Sequence, residues 1–219
     1  MNPRTLLRLT QFLDEGRHTL EELAEKSGLG ELVVQDTLNQ MIENGVGRLG
    51  DCSVEFSRGD KVAGAVLAVR LGCSVDEASQ HIGWRDFEDF VAEILAADGY
   101  TVKRTIRLKK PRAEIDVVAY RNGLGLVIDC KHWKRTTGAS SMRRVAELQT
   151  GRAKRLVDTN ELGIPRLLSL YPVIATLHEE NVQLIDGVPV VPVTRLSGFL
   201  REFEGYTSAL RDVCRLEAE

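Results

Sequence analysis

Residues 3–14 place Leu6, Leu7, Leu9 and Phe12 at spacings that return to one side of a helix. Thr19 and Glu22 form the capping-box pattern that starts a second helix, and Gly28 and Gly30 close it. The run ELVVQDTLNQMIENG predicts a third helix with Val33, Leu38, Met41 and Ile42 on its apolar side, and VGRLGDCSVEFSRGD predicts a short β-hairpin. Residues 61–72 read as an apolar helix, and Ser74 with Glu77 gives another capping box; both look like connectors. The stretch WRDFEDFVAEILAADGY sets Phe87, Phe90, Val91, Ile94 and Leu95 on a core-facing stripe. Asp86, Asp89 and Glu93 fall on its outer side, whereas Glu88 sits at the inward edge, and Gly99 ends the helix. TVKRTIRL then alternates as a strand and runs into the basic turn KKPRA. Past residue 160, RLLSLYPVIATL predicts a buried strand, NVQLIDGVPVV a hairpin around Asp186–Gly187, and TRLSGFLREFEGY a closing helix.

Between these lies EIDVVAYRNGLGLVIDCK, residues 114–131. Asn122–Gly123 is the strongest short hairpin signal in the chain. With those two as the loop, Arg121 pairs with Leu124, Val118 with Val127, and Asp116 comes to face Asp129. Glu114 faces Lys131 on the same side, while Ile115, Val117 and Ala119 make an apolar side with Cys130, Ile128 and Leu126. Opposed residues have Cβ atoms about 4.5–5.5 Å apart, and like charges there destabilise a sheet. A divalent cation held by hard carboxylate oxygens offsets that repulsion. Lys131 stands about 6.6 Å along the strand from Asp129, within reach of a water or phosphate on such an ion. The alternative is a solvated strand face with a Glu114–Lys131 ion pair.

Charge sharpens the choice. The chain has 219 residues and a net charge of −3. Residues 1–60 carry six Lys/Arg against eleven Asp/Glu, a balance of −5, and residues 101–156 carry fifteen against four, a balance of +11. A positive segment around two aspartates attracts a polyanion, phosphate backbones first among them. The third helix exposes Glu31, Gln35, Asp36, Asn39 and Glu43 with no cation, so it either touches DNA weakly or serves dimerisation, protein contact or packing; Arg48 and Arg58 follow in the hairpin. HWKRTTGASS leads with Lys134 and Arg135 into a helix from Ser140 or Ser141, which buries Met142, Val145 and Leu156 and carries Arg143, Arg144, Arg152, Lys154 and Arg155. Gln149 faces inward there, either to the site or to backbone, and His132 and Trp133 either contact nucleic acid or pack. The four scattered cysteines show no zinc spacing and read as reduced thiols of a cytoplasmic protein, and no apolar run is long enough for a membrane.

Asp116 followed a dozen residues later by Asp129-Cys130-Lys131 resembles the PD-(D/E)XK nuclease signature. WRDFEDFVAEILAADGYTV is similar to the first helix of Mrr-type restriction endonucleases and archaeal Holliday-junction resolvases. The resemblance covers about residues 84–157, with weaker support to 204. PRAEID departs from the usual approach to the first aspartate and offers Glu114 as an extra or substitute ligand; no Gln-x-x-x-Tyr follows, although Gln149 is present. The resemblance implies an α/β fold with a restriction-endonuclease-like mixed sheet of about four strands flanked by helices. A small winged helix-turn-helix-like domain (1–60), a helical connector (61–83), the nuclease-like domain (84–205) and a C-terminal tail or helix (206–219) are expected.

The resemblance further implies hydrolysis of DNA phosphodiesters with Mg2+, or Mn2+ in its place. Asp116, Asp129, the backbone carbonyl of Cys130 and Glu88 are expected as metal ligands, and Lys131 as the residue that orients or activates the attacking water. Lys109, Lys110, Arg112, Lys134, Arg135, Arg143, Arg144 and Arg152 are the expected DNA contacts. A homodimer is expected from the family's habit. A junction or flap nuclease and a non-catalytic DNA-binding regulator are the alternatives.

Overall fold

A computed structural model describes residues 2–57, 59–109, 111–132, 137–159 and 169–214, with the side chains of Trp84 and Arg85 excepted. The chain divides into two compact units, Met1–Phe90 and Val91–Glu219.

The first unit runs α1 (Pro3–Thr10), β1 (Gly16–His18), α2 (Leu20–Ser27), α3 (Glu31–Glu43), β2 (Arg48–Leu49), β3 (Val54–Phe56), α4 (Asp60–Arg70) and α5 (Val75–Gln80). Leu6, Leu9, Leu23, Val34, Met41 and Phe56 are buried. The expected hairpin is β2–β3, and β1 adds on its other side in the antiparallel order β1-β3-β2. Of the two expected capping boxes, the one of Ser74 and Glu77 is complete. Thr19 caps the Glu22 N–H, but the Glu22 carboxylate turns to Lys26 at 2.6 Å instead of back to the cap. On α3 Leu38 and Met41 are buried as expected, but Val34 is buried in place of Val33, which is 46% exposed.

The second unit holds the six-stranded mixed sheet. α6 (Trp84–Ala97) crosses the boundary between the units and is followed by β4 (Thr101–Leu108), β5 (Ala113–Arg121), β6 (Leu124–Lys131), α7 (Ala139–Thr159), β7 (Ser169–Thr176), β8 (Leu184–Ile185), β9 (Val188–Pro192) and α8 (Leu196–Tyr206). The order is β4-β5-β6-β7-β9-β8, with β4–β5–β6 an antiparallel meander and β6, β7 and β9 parallel. The sheet therefore has two more strands than the resemblance implied. α7 makes the crossover from β6 to β7. Its Ala153 and Leu156 pack with Val118, Val127 and Leu170, and its Met142 and Ala146 with Ile174 and Val190. Leu156 and Met142 each contribute about 1.5–3 kcal/mol by leaving water and the two alanines less, which fixes α7 over the strands that carry the two aspartates.

Pro172 lies inside β7, which is buried along its whole length. The neighbouring Leu170 N–H donates to Asp212 and its C=O accepts from Val213, so Leu170 and, by alternation, Pro172 turn their amide edges away from β6. Pairing with β9 begins only at Ile174, so the proline costs no ladder bond.

The β5–β6 register is the one the Asn–Gly turn dictates, from Arg121↔Leu124 to Val117↔Ile128. Asn122 (φ 51°) and Gly123 (φ 80°) both sit in the left-handed region that a two-residue hairpin loop requires. Beyond Val117 and Ile128 the two strands stop pairing with each other. β5 keeps β4, with Arg107↔Glu114 and Ile106↔Ile115, while β6 keeps β7, with Asp129↔Ile174 and Lys131↔Thr176. The break begins at Asp116. Its neighbour across β4, Thr105, has φ 53°, and this pair is missing from an otherwise continuous ladder. Ile115, expected opposite Cys130 on the other side, instead joins the cluster of Val118 and Val127. Strict alternation forbids that, so β5 departs from regular alternation at Asp116 while its register with β4 is the same on either side.

Candidate active site

The open end of the hairpin is where the acidic side chains collect. As β5 and β6 part, the Cys130 N–H loses its strand partner and donates instead to Asp116 Oδ2 at 2.7 Å. One residue's N–H and C=O leave a strand toward the same side, so the Cys130 carbonyl also points toward β5. Leu177 N–H donates to the Lys131 carbonyl on the β7 side, consistent with that alternation.

Asp129 is 2% exposed. Its Oδ1 accepts from Arg152 Nη1 at 2.7 Å. The Lys131 ammonium lies 2.7 Å from Oδ2, close enough for an ion pair, but off the hydrogen-bond direction, which leaves Oδ2 without an aligned donor. Burial is the largest influence on Asp116 and raises its carboxyl above the ordinary aspartate value; the Cys130 N–H opposes this, the Asp129 charge adds to it, and Lys131 and Arg152 oppose it.

Asp116, Asp129 and Lys131 are thus brought together as expected. Glu114 is not part of the group: it is exposed and pairs with Arg107 at 3.4 Å, because β5 stays with β4 there. The Glu114–Lys131 pair is replaced by Asp129–Lys131. Glu88 is half-buried on α6 and falls in the first unit. Among the described residues no three or more His, Cys, Asp or Glu converge as a metal-holding group, so Asp116 and Asp129 stand as a pair.

The cations divide into two sets. Arg152, expected as a phosphate contact, directs its guanidinium at Asp129. Arg143 pairs with Asp186 at 3.5 Å and remains largely exposed, and Arg144, Lys109 and Arg112 are exposed. Arg155 donates to the Pro111 carbonyl and so ties α7 to the basic turn. Lys110, Lys134, Arg135, Trp133 and Arg58 lie outside the described residues.

Gln149 is fully buried, and its Nε2 donates to the Val127 carbonyl at 2.8 Å, the backbone alternative among its expected roles. Its Oε1 has no hydrogen-bond partner. The role of Arg152 was accessible from spacing. It lies three residues after the inward Gln149, and side chains three apart share a helix face. The arginine-rich composition of the helix hid that relation.

A divalent cation suits this donor set. Two aspartates, one carrying a buried oxygen without an aligned donor, and a carbonyl pointing the same way are hard oxygen ligands of the kind magnesium and manganese take.

Residues 79–161 match the model of a restriction endonuclease family, the Mrr-type catalytic domain. An uncharacterized protein of Archaeoglobus fulgidus is 32% identical over 127 residues, which cover 56% of this chain and 93% of that protein. Among solved structures, protein VC1899 from Vibrio cholerae aligns over 95% of this chain at 13% identity and a TM-score of 0.43. The chain spans about half of that protein, 51% of its length. Protein AF1548, of unknown function, aligns over 62% of this chain and 72% of its own at 20% identity and a TM-score of 0.37. The small subunit of the heterodimeric restriction endonuclease R.BspD6I aligns over 57% and 72% at 12% identity and a TM-score of 0.33.

Proposed function

The chain belongs to the Mrr-type restriction endonuclease family of PD-(D/E)XK nucleases, and from that we propose that it is a metal-dependent endonuclease that cuts DNA phosphodiester bonds. The observation that carries the reading is the convergence of Asp116, Asp129 and Lys131 where β5 and β6 part. Neighbouring carboxylates repel unless cations offset their charge; Lys131 and Arg152 both sit on Asp129, Asp116 has only the Cys130 N–H as its hydrogen-bond donor among the described residues, and a divalent ion would serve both aspartates.

Asp116, Asp129 and the Cys130 carbonyl would hold the ion. Bound there, a divalent cation lowers the pKa of water and neutralises phosphate oxygens. Lys131 orients the attacking water and meets the negative charge that grows on the phosphorus centre, a role its ammonium supports by standing 2.7 Å from Asp129. The exposed Lys109, Arg112 and Arg144 supply a phosphate track. The order α1-β1-α2-α3-β2-β3 supports reading the first unit as a winged-helix module. Its α3 exposes Leu32 and Val33 among Glu31, Asp36 and Glu43, a surface that suits protein contact better than phosphate.

The test is a magnesium titration of the purified protein on linear, supercoiled, single-stranded and four-way DNA. Nicking or cutting that rises with magnesium, loses about a hundredfold or more in Lys131→Ala, and keeps its DNA affinity in Gln35→Ala/Asn39→Ala is expected. Protein that is inert on every form yet retards DNA in a gel contradicts the reading and makes the chain a binding regulator.

A further inference from the structure

Asp129 holds two cations at once, one on each carboxylate oxygen: Arg152 at 2.7 Å on Oδ1 and Lys131 at 2.7 Å on Oδ2. We propose that Arg152 is a gate on the metal site, a positioning residue that occupies Asp129 in the metal-free protein and yields it when DNA phosphate draws the guanidinium away. The inference rests on the metal-centre reading above and adds regulation to it.

The electrostatics are direct. Asp129 is 2% exposed, so screening by water is weak and an incoming dication feels both neighbours strongly. With two positive groups already in contact, the carboxylate offers a third cation little net attraction until one of them leaves. Lys131 is two residues away on the same strand and is tethered to the site. Arg152 arrives from a separate element, α7, on a long side chain that is 29% exposed and has solvent to move into. A guanidinium also matches the oxygens of a phosphate through its planar fork better than an ammonium does. The exposed Arg144 on the same helix puts further positive charge along the route a backbone would take. Metal affinity and DNA binding are then coupled: phosphate takes the arginine, and the freed aspartate takes the ion. By linkage, metal also raises the affinity for DNA by the same factor.

A merely structural brace predicts the opposite sign. If Arg152 only held Asp129 in place, its loss would loosen the ligand and weaken metal binding. The experiment is a Mn2+ titration, read as the disappearance of free Mn2+ in electron paramagnetic resonance. It uses full-length wild type, Arg152→Met, Arg152→Lys and Asp129→Asn, without DNA and with a duplex carrying non-hydrolysable linkages. Arg152→Met should bind Mn2+ about tenfold or more tightly than wild type without DNA, a difference of about 1.4 kcal/mol. The duplex should tighten binding in wild type and leave Arg152→Met nearly unchanged. Arg152→Lys, with its shorter reach to Asp129, should lie between them and gives the same reading where the methionine variant fails to fold. If wild type takes up Mn2+ that Asp129→Asn abolishes, yet neither arginine variant binds more tightly, the gate is refuted and the metal centre stands. If no variant shows uptake that depends on Asp129, the metal reading fails and the gate falls with it.

Discussion

From the Asn122–Gly123 turn to Val117 and Ile128, the β5–β6 hairpin is a regular ladder, with Val117, Val118, Ala119, Leu126, Val127 and Ile128 buried in the core. From Asp116 and Asp129 onward the same two strands separate, each kept by its outer neighbour, and charge fills the space between them. The closed end satisfies its backbone with backbone. At the open end a side chain does that work, since Asp116 takes the Cys130 N–H. One hairpin therefore supplies a rigid base and, a residue further on, a cluster of charged groups where its strands part. A site built on strand ends inherits the precision of the ladder behind it.

That division predicts opposite phenotypes at the two ends. Lys131→Ala, at the open end, should cost about a hundredfold or more in cleavage rate while thermal unfolding barely shifts, because Arg152 still holds Asp129. Leu126→Ala, at the closed end, leaves a cavity in a fully buried position. It should cost about 2–5 kcal/mol, or roughly 5–15 °C in the transition of the nuclease unit, with the cleavage rate per folded molecule unchanged. Large losses of both stability and rate from either change would mean the two ends are not separable.

A smaller effect sharpens the comparison through pH. The Asp116 carboxyl is raised above its ordinary value, mainly by burial. A group raised in the folded state contributes stability below its unfolded value and loses that contribution as pH climbs through the folded value. Ionised Asp116 is thus a cost in metal-free protein. Asp116→Asn should raise the melting temperature in EDTA, by an amount that is negligible near pH 3 and grows from about pH 4 upward, the unfolded aspartate value being about 3.9. A constant or reversed difference across that range would show that Asp116 is not strained by its surroundings.

Much of this arrangement can be read from residues 114–131 alone. The Asn–Gly loop sets the pairing, and the apolar pairs on either side agree with it; a longer loop would have made the aspartates diagonal neighbours. Hence Asp116, Asp129 and Lys131 were expected together and are together. The divergence of the strands was not legible, because it depends on β4 and β7 competing for the ends of the hairpin, contacts that no local pattern encodes. Glu114 was misplaced for that reason, since it follows β4 and meets Arg107. The contact of Arg152 with Asp129 is not evident in the sequence because an arginine in a basic run is ordinarily solvated, and only the buried Asp129 gives it this partner. The strand β1 escaped because three residues carry too little periodicity to register.

The central claim is that Asp116 and Asp129 form a metal centre, and anomalous diffraction from crystals of the protein with a duplex carrying non-hydrolysable linkages, soaked in Mn2+, tests it most directly. The account predicts a single strong peak within about 2.0–2.6 Å of oxygens from both aspartates. A peak at other residues alone, or none at these aspartates while other sites fill, would contradict it.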